Sequence, residues 1–113
     1  MLFNSVVTMK LKIIFLIINL LFFQNSCALF DNLRAFKAFE NNDYKKAEQL
    51  YADLVVNKID DANLFYNLGD VLYKQGDYKK AKFYFDKVAH DSNVCKEYQE
   101  KAFFNLGNCY FFL

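Results

Sequence analysis

An all-α fold, a solenoid of about two and a third helix–turn–helix units preceded by a signal peptide, is what three features of the 113-residue chain predict. The run Asn42-Asp43-Tyr44-Lys45-Lys46-Ala47 returns as Gly76-Asp77-Tyr78-Lys79-Lys80-Ala81, so that Ala47 and Ala81 stand 34 positions apart. The run Phe65-Tyr66-Asn67-Leu68-Gly69 returns as Phe103-Phe104-Asn105-Leu106-Gly107, with Gly69 and Gly107 38 positions apart. A period in this range signals stacked units rather than one closed core. The third feature is an N-terminal stretch of different character, which is basic, then apolar, then small and polar.

In that stretch Lys10 and Lys12 precede an apolar run over residues 13–23, broken only by Asn19, and Gln24-Asn25-Ser26-Cys27-Ala28 follows. A basic region, an apolar region of about 7–15 residues and a small-x-small site describe a secretory signal peptide. Ser26 and Ala28 are the small pair, which places cleavage after Ala28 and assigns residues 1–28 to the leader. Met9-Lys10-Leu11-Lys12 reads as a better start than Met1, which makes Met9 a second candidate for the initiator. Two other readings stay open. Residues 13–23 are an uncleaved anchor in one, although eleven apolar residues fall short of the ~20 that span a bilayer. In the other, Cys27 carries a lipid, with only Ser26 fitting the small residues that such a site wants before its cysteine.

Residues 29–113 hold the repeats, at about 29–61, 62–95 and 100–113. In the first, Ala35, Ala38, Tyr44, Ala47, Tyr51 and Leu54 fall on the recurring places, while Asp31 and Arg34 stand where an aromatic and a leucine are expected. The middle repeat is the most regular. Phe65, Leu68 and Leu72 lie at i, i+3 and i+7, one stripe of a 3.6-period helix. Gly69 within that stripe costs roughly 1 kcal/mol against alanine, so its use is close approach of a neighbouring helix. Asp60 and Asp61 are placed to cap the helix start. Gly76 supplies a positive φ that ends it, and Asp77 caps the next. The second helix carries Tyr78, Ala81, Phe85 and Val88 on one side, with lysines mostly around the other. The third repeat offers Phe103, Leu106, Gly107 and Tyr110, and the sequence stops at Leu113.

With this spacing the chain resembles the tetratricopeptide repeat family over residues 29–113. Phe65, Leu68, Gly69, Leu72, Gly76, Tyr78, Ala81, Phe85 and Val88 fill that family's pattern in the middle repeat. The proline that often closes a repeat is absent, with Ile59 and Asn93 in those places. The run from Tyr66 to Ala81 also looks like the repeats of bacterial aerotolerance-operon proteins, which combine a signal or anchor with such repeats.

Chemistry is poorly supplied. His90, Asp91 and Ser92 are the residue types of a catalytic triad, but adjacent residues in a turn cannot aim three side chains at one another. One histidine and separated cysteines give no metal-ligand spacing. If Cys95 and Cys109 share one helix, fourteen residues at about 1.5 Å each hold them roughly 21 Å apart, beyond the ~7 Å reach of a disulfide. The three glycines form no phosphate loop. Loss of residues 1–28 removes two lysines and no acids, taking the formal charge from +1 to −1, so no basic field remains for nucleic acid. No enzyme activity, cofactor, metal or small-molecule substrate is expected, and the aromatics, 19% of the chain, are expected to pack first.

The resemblance implies a protein or peptide partner held on the concave face lined by the first helix of each pair. Its outward places are Asn63, Tyr66, Asp70, Tyr73 and Lys74 in the middle repeat, Lys101, Phe104 and Asn108 in the third, and Asn32, Phe36 and Phe39 in the first. Packing of these aromatics against a further helix or a second subunit is the competing reading. Asn67 and Lys101 suit a clamp for a C-terminal carboxylate, but Phe36 stands where that clamp needs an asparagine. The helix ending Tyr110-Phe111-Phe112-Leu113 lacks a polar cap, so self-association through it is expected, and the chain is expected to be a piece of a longer repeat protein. The functional expectation is an exported, periplasmic or secreted scaffold for protein–protein interaction. The alternatives are a membrane-tethered or lipid-anchored subunit of an envelope complex, and an N-terminal piece whose remainder carries the activity.

Overall fold

Backbone geometry follows the 34-residue period down to single hydrogen bonds. The computed structural model describes residues 1–57 and 61–113, with helices α1 (Leu2–Glu40), α2 (Tyr44–Asn57), α3 (Ala62–Lys74), α4 (Tyr78–Ala89) and α5 (Lys96–Phe112) and no strand among the described residues. The chain divides into two units, Met1–Phe30 and Asp31–Leu113. Ile59 and Asp60, and the side chains of Cys27 and Ala28, lie outside the described residues.

Among the described residues of the first unit the apolar side chains are exposed. Several of its polar side chains turn back on their own helix: Asn19 Nδ2 donates to the Phe15 carbonyl at 2.8 Å, and Thr8 and Ser26 hydroxyls donate to the Asn4 and Phe22 carbonyls at 2.9 Å. Polar groups satisfied in this way make few demands on an apolar surrounding. By length and composition α1 is able to cross a membrane, and a signal sequence near the N-terminus has the same character.

In the second unit residues 31–40 of α1 pair with α2, and α3 pairs with α4. Both hairpins turn through the same motif. Gly76 has φ +81° and Asn42 has φ +61°, the left-handed conformation that glycine tolerates best and asparagine next. The N–H of Asp77 donates to Leu72 O and that of Asp43 to Ala38 O, each at 2.9 Å, while Gly76 and Asn42 donate to Tyr73 O and Phe39 O, each at 3.0 Å. These are the paired bonds that close a helix C-terminus. The aspartates then serve the following helix, Asp43 Oδ1 accepting from Lys46 N at 3.3 Å and Asp77 Oδ1 from Lys80 N at 3.2 Å. One short run therefore ends one helix and starts another, which is why it is the run that recurs. Asp61 caps α3 by accepting from the Asn63 and Leu64 amides.

The core is shared between neighbours rather than enclosed. Ala35, Ala38, Ala47, Tyr51, Leu54, Leu64, Leu68, Val71, Leu72, Ala81, Phe85, Leu106 and Cys109 form one buried cluster, and Val88, Ala89 and Ala102 form another. In α3 burial also reaches Leu64 and Val71, so its apolar stripe is wider than the i, i+3, i+7 set, as befits a helix covered on both sides. A Cβ at Gly69 would lie 2.8 Å from Cε1 of the fully buried Phe85. That contact is the close approach the glycine serves. The four extra residues between Gly69 and Gly107 form an added first turn of α5, which starts eleven residues before its glycine where α3 starts seven before; ahead of it Asp91 accepts from the Asn93 amide at 2.9 Å and its carbonyl accepts from the Gln99 side chain. Cys95 is the N-cap of α5 and Cys109 is buried within it, both as free thiols.

Candidate functional site

Residues 31–40 of α1, α3 and α5 present the expected partner-binding places, and the structure sorts them into three groups. Asn63 and Lys74 are exposed at the two ends of α3. Tyr73 is half-buried in an aromatic group, its ring 5.2 Å from Tyr78 and 6.2 Å from Phe112, with Tyr78 and Phe112 stacked at 4.7 Å. Tyr66 and Asp70 meet α5. Their meeting point organises the face.

The join is made by Asn105. Its Nδ2 donates to Tyr66 Oη at 2.9 Å and lies 3.3 Å from Asp70 Oδ1. The Tyr66 ring packs 4.9 Å from Tyr98 and edge-on to Phe85 at 5.5 Å. Burial pushes the Asp70 carboxyl up to about 6, with Lys74 working the other way. Burial, and after it the Asp70 charge, raises Tyr51 and Tyr66 above the usual phenol range. Tyr98 is pushed up to about 12 by burial first and then by Tyr66 and Asp70. These rings stay protonated at neutral pH, and each keeps a hydroxyl hydrogen for donation.

Two recesses flank this network. One of about 80 Å³ is lined by Phe36, Phe39, Tyr51, Asn67 and Asp70. The other, about 330 Å³, is lined by Tyr66, Glu97, Glu100, Lys101, Phe104 and Asn105. Within the second, Lys101 Nζ is held 3.0 Å from Glu97 Oε1, and the exposed Phe104 forms part of the wall. Asn108 and Asn32 are half-buried. Chemically the face offers aromatic walls, amide groups and an excess of carboxylates, since Glu97 answers Lys101 while Glu100 and Asp70 remain. It suits an extended or helical peptide carrying a basic side chain.

Sequence reasoning did not place Asn105, Tyr98, Glu97 or Glu100 in the site. Asn105 had a visible signal, because it occupies in the third repeat the place of Asn67 in the middle one. The glutamates and Tyr98 had none, since they lie in the first turns of α5, before the recurring run begins.

Against known proteins, the family model of the tetratricopeptide repeat matches residues 62–90, which covers α3, its turn and α4 with its C-cap. No curated protein and no solved structure matches the chain. Tetratricopeptide repeats generally mediate protein–protein interaction. The arrangement of helices is that of a tetratricopeptide-like helical repeat, and its middle hairpin is similar to that family in sequence as well.

Proposed function

We propose that this chain is a non-catalytic scaffold, exported or held at a membrane by its N-terminal helix, that binds a basic peptide segment of a protein partner along the face formed by residues 31–40, α3 and α5. The carrying observation is the Tyr66–Asn105–Asp70 network between two recesses. Asp70 is a half-buried carboxylate whose charge is eased by the exposed Lys74, and a lysine or arginine entering the recess would restore the charge balance that burial disturbs. Tyr66 and Phe104 give aromatic surface for the stem of such a side chain. Tyr66, Asp70, Lys101 and Phe104 are the residues assigned to contact; Asn63, Tyr73, Lys74 and Asn108 border them.

The test is a peptide array screened with the full chain in mild detergent. Basic peptides should be retained over acidic ones, Asp70→Asn should weaken retention about tenfold, and Tyr66→Ala should weaken it further without lowering helicity. Retention indifferent to both changes would move the site elsewhere.

For the N-terminal unit the leading reading is a signal peptide cleaved after Ala28. The internally satisfied Asn19, Thr8 and Ser26 side chains favour a second reading, a retained anchor that makes the chain a membrane-tethered subunit of an envelope assembly. That combination would also fit the aerotolerance-operon type. The mass and fractionation of the expressed protein separate the two, since a soluble species beginning at Leu29 supports export and a detergent-requiring one with its N-terminus intact supports the tether. Ala28 replaced by a bulky charged residue should block processing in the first case and change nothing in the second.

A further inference from the structure

The outward faces of α2 and α4 occupy the same place in successive hairpins, yet they differ in charge and in one aromatic ring. Helix α4 packs on α3 and α5 and buries Ala81, Phe85 and Val88. Phe83 lies two residues from both Ala81 and Phe85, about 200° around a 3.6-residue helix. It is turned away from the core and is 55% exposed. Because a stack grows through the flanks of its helices, a unit before or after leaves this face outward. Lys79, Phe83 and Lys87 fall at i, i+4 and i+8 along it, one ridge with a ring between two ammonium groups. Lys87 Nζ lies 5.0 Å from the Phe83 ring centroid and 5.7 Å from that of Phe65, and Tyr84 meets Phe83 edge-on at 5.2 Å.

The lysines of this helix are largely unanswered. Lys79, Lys80, Lys82 and Lys87 stand on α4 against Asp86 alone. Asp86 pairs with His90 at 3.3 Å, and Asp77 at the helix start takes Lys80 at 3.2 Å. Among the described residues no carboxylate pairs with Lys79, Lys82 or Lys87. On α2, 34 positions earlier, Lys45 and Lys46 are balanced by Glu48 and Asp53, and Gln49 stands in the place of Phe83. Packing accounts for neither difference, since both places face away from the core. The peptide-binding face, with Asp70, Glu97 and Glu100, has the opposite sign.

We propose that the outward face of α4 docks on a bilayer surface rich in anionic lipid, with Lys79 and Lys87 against lipid phosphates and the Phe83 ring entering the headgroup boundary between them. This docking rests on the reading in which α1 holds the chain at a membrane. By length and composition α1 is able to cross one, and an inserted α1 makes contact with the surface an intramolecular step. The lysines supply attraction that salt screens. The ring supplies apolar burial that salt leaves in place.

The sequence has no tryptophan, so Phe83→Trp sets a single fluorescent reporter on the ridge. The full chain is reconstituted from mild detergent into vesicles of phosphatidylcholine, or of an equal mixture with phosphatidylglycerol, both with brominated acyl chains. Flotation with the vesicles reads insertion of α1 and tests the membrane-held reading by itself. In the floated chain the mixed vesicles should quench about half of the reporter's emission and phosphatidylcholine almost none, a difference lost in high salt. Each lysine is worth about fivefold in such a docking equilibrium, so Lys79→Gln with Lys87→Gln should shift it about 25-fold and abolish the quenching. Gln49→Trp, the reporter at the equivalent place on α2, should stay unquenched in both. Equal quenching in the two kinds of vesicle, quenching that survives the lysine changes, or a Gln49→Trp reporter quenched as strongly overturns the proposal. So does a floated chain with no quenching, which leaves the lysines to an acidic protein. A chain that floats with neither vesicle sinks the membrane-held reading and the docking with it.

Discussion

Helices α3 and α5 share the run aromatic, aromatic, Asn, Leu, Gly, yet they live in different surroundings. In α3 the glycine touches a buried ring, the stripe around it is closed on two sides, and the outward aspartate is half-buried. In α5 the glycine is open and only Ala102, Leu106 and Cys109 are buried. The same local code therefore has its energetic meaning fixed by the neighbours on either side. In a stack, each helix receives part of its core from the units before and after it.

The comparison is broken most severely at Phe85. Phe85→Ala should cost about 3–5 kcal/mol in thermal or denaturant unfolding, because it empties the volume over Gly69. Tyr110→Ala on α5 should stay within about 0.5 kcal/mol, as an exposed side chain does. Similar losses at the two positions would mean that α5 is covered as α3 is.

A sharper contrast comes from the two glycines, where one substitution should change sign with position. Both gain roughly 1 kcal/mol of helix propensity on Gly→Ala. At Gly107 nothing opposes that gain, and the melting temperature should rise. At Gly69 the new Cβ meets Phe85 Cε1 at 2.8 Å, and the repacking should outweigh the gain, for a net loss of about 1–2 kcal/mol. A rise at both would show that the Phe85 ring yields freely.

The smallest effect tests the outward face. Asn108 stands on α5 where Asp70 stands on α3, so Asp70→Asn makes the two helices alike. The folded-state carboxyl of Asp70 titrates near 6 against an ordinary value of 3.8. The folded state then binds a proton more tightly than the unfolded chain does. Its burial penalty is absent below pH ~4 and fully present above pH ~6, so stability should fall as pH rises between these values. With partial exposure allowed for, the change is about 1 kcal/mol. Asp70→Asn should remove that slope and raise stability at pH 7, and parallel pH curves for wild type and variant would show that Asp70 is solvated after all.

Several elements were legible residue by residue. Gly76 with its positive φ, Asp77 and Asp61 as caps, Gly69 as a contact point, and Ala81, Phe85 and Val88 as the buried side of α4 all follow from conformational preference, hydrogen-bonding capacity and 3.6-residue periodicity. Ala35 and Ala38 marked the first repeat despite Asp31 and Arg34, because small residues at the right spacing suffice for close packing. The candidate site was legible only in part. Tyr66 and Asp70 were identifiable as outward on α3, but their partner Asn105 depends on how far α5 is shifted along α3. The added first turn of α5 and the Asp91 turn before it lie outside the recurring run, so they carry no periodic signature.

The sequence by itself determined the helices, their turns, the period of the stack and the separate character of the N-terminal segment, since each is decided by interactions within a few residues of chain. Tertiary structure alone decided that Tyr66, Asp70 and Asn105 form one network, that the Asp70 carboxyl is raised, and that Gly69 is covered while Gly107 is open. These depend on which groups meet across helices and how much water they exclude, and two closely similar runs can differ in both.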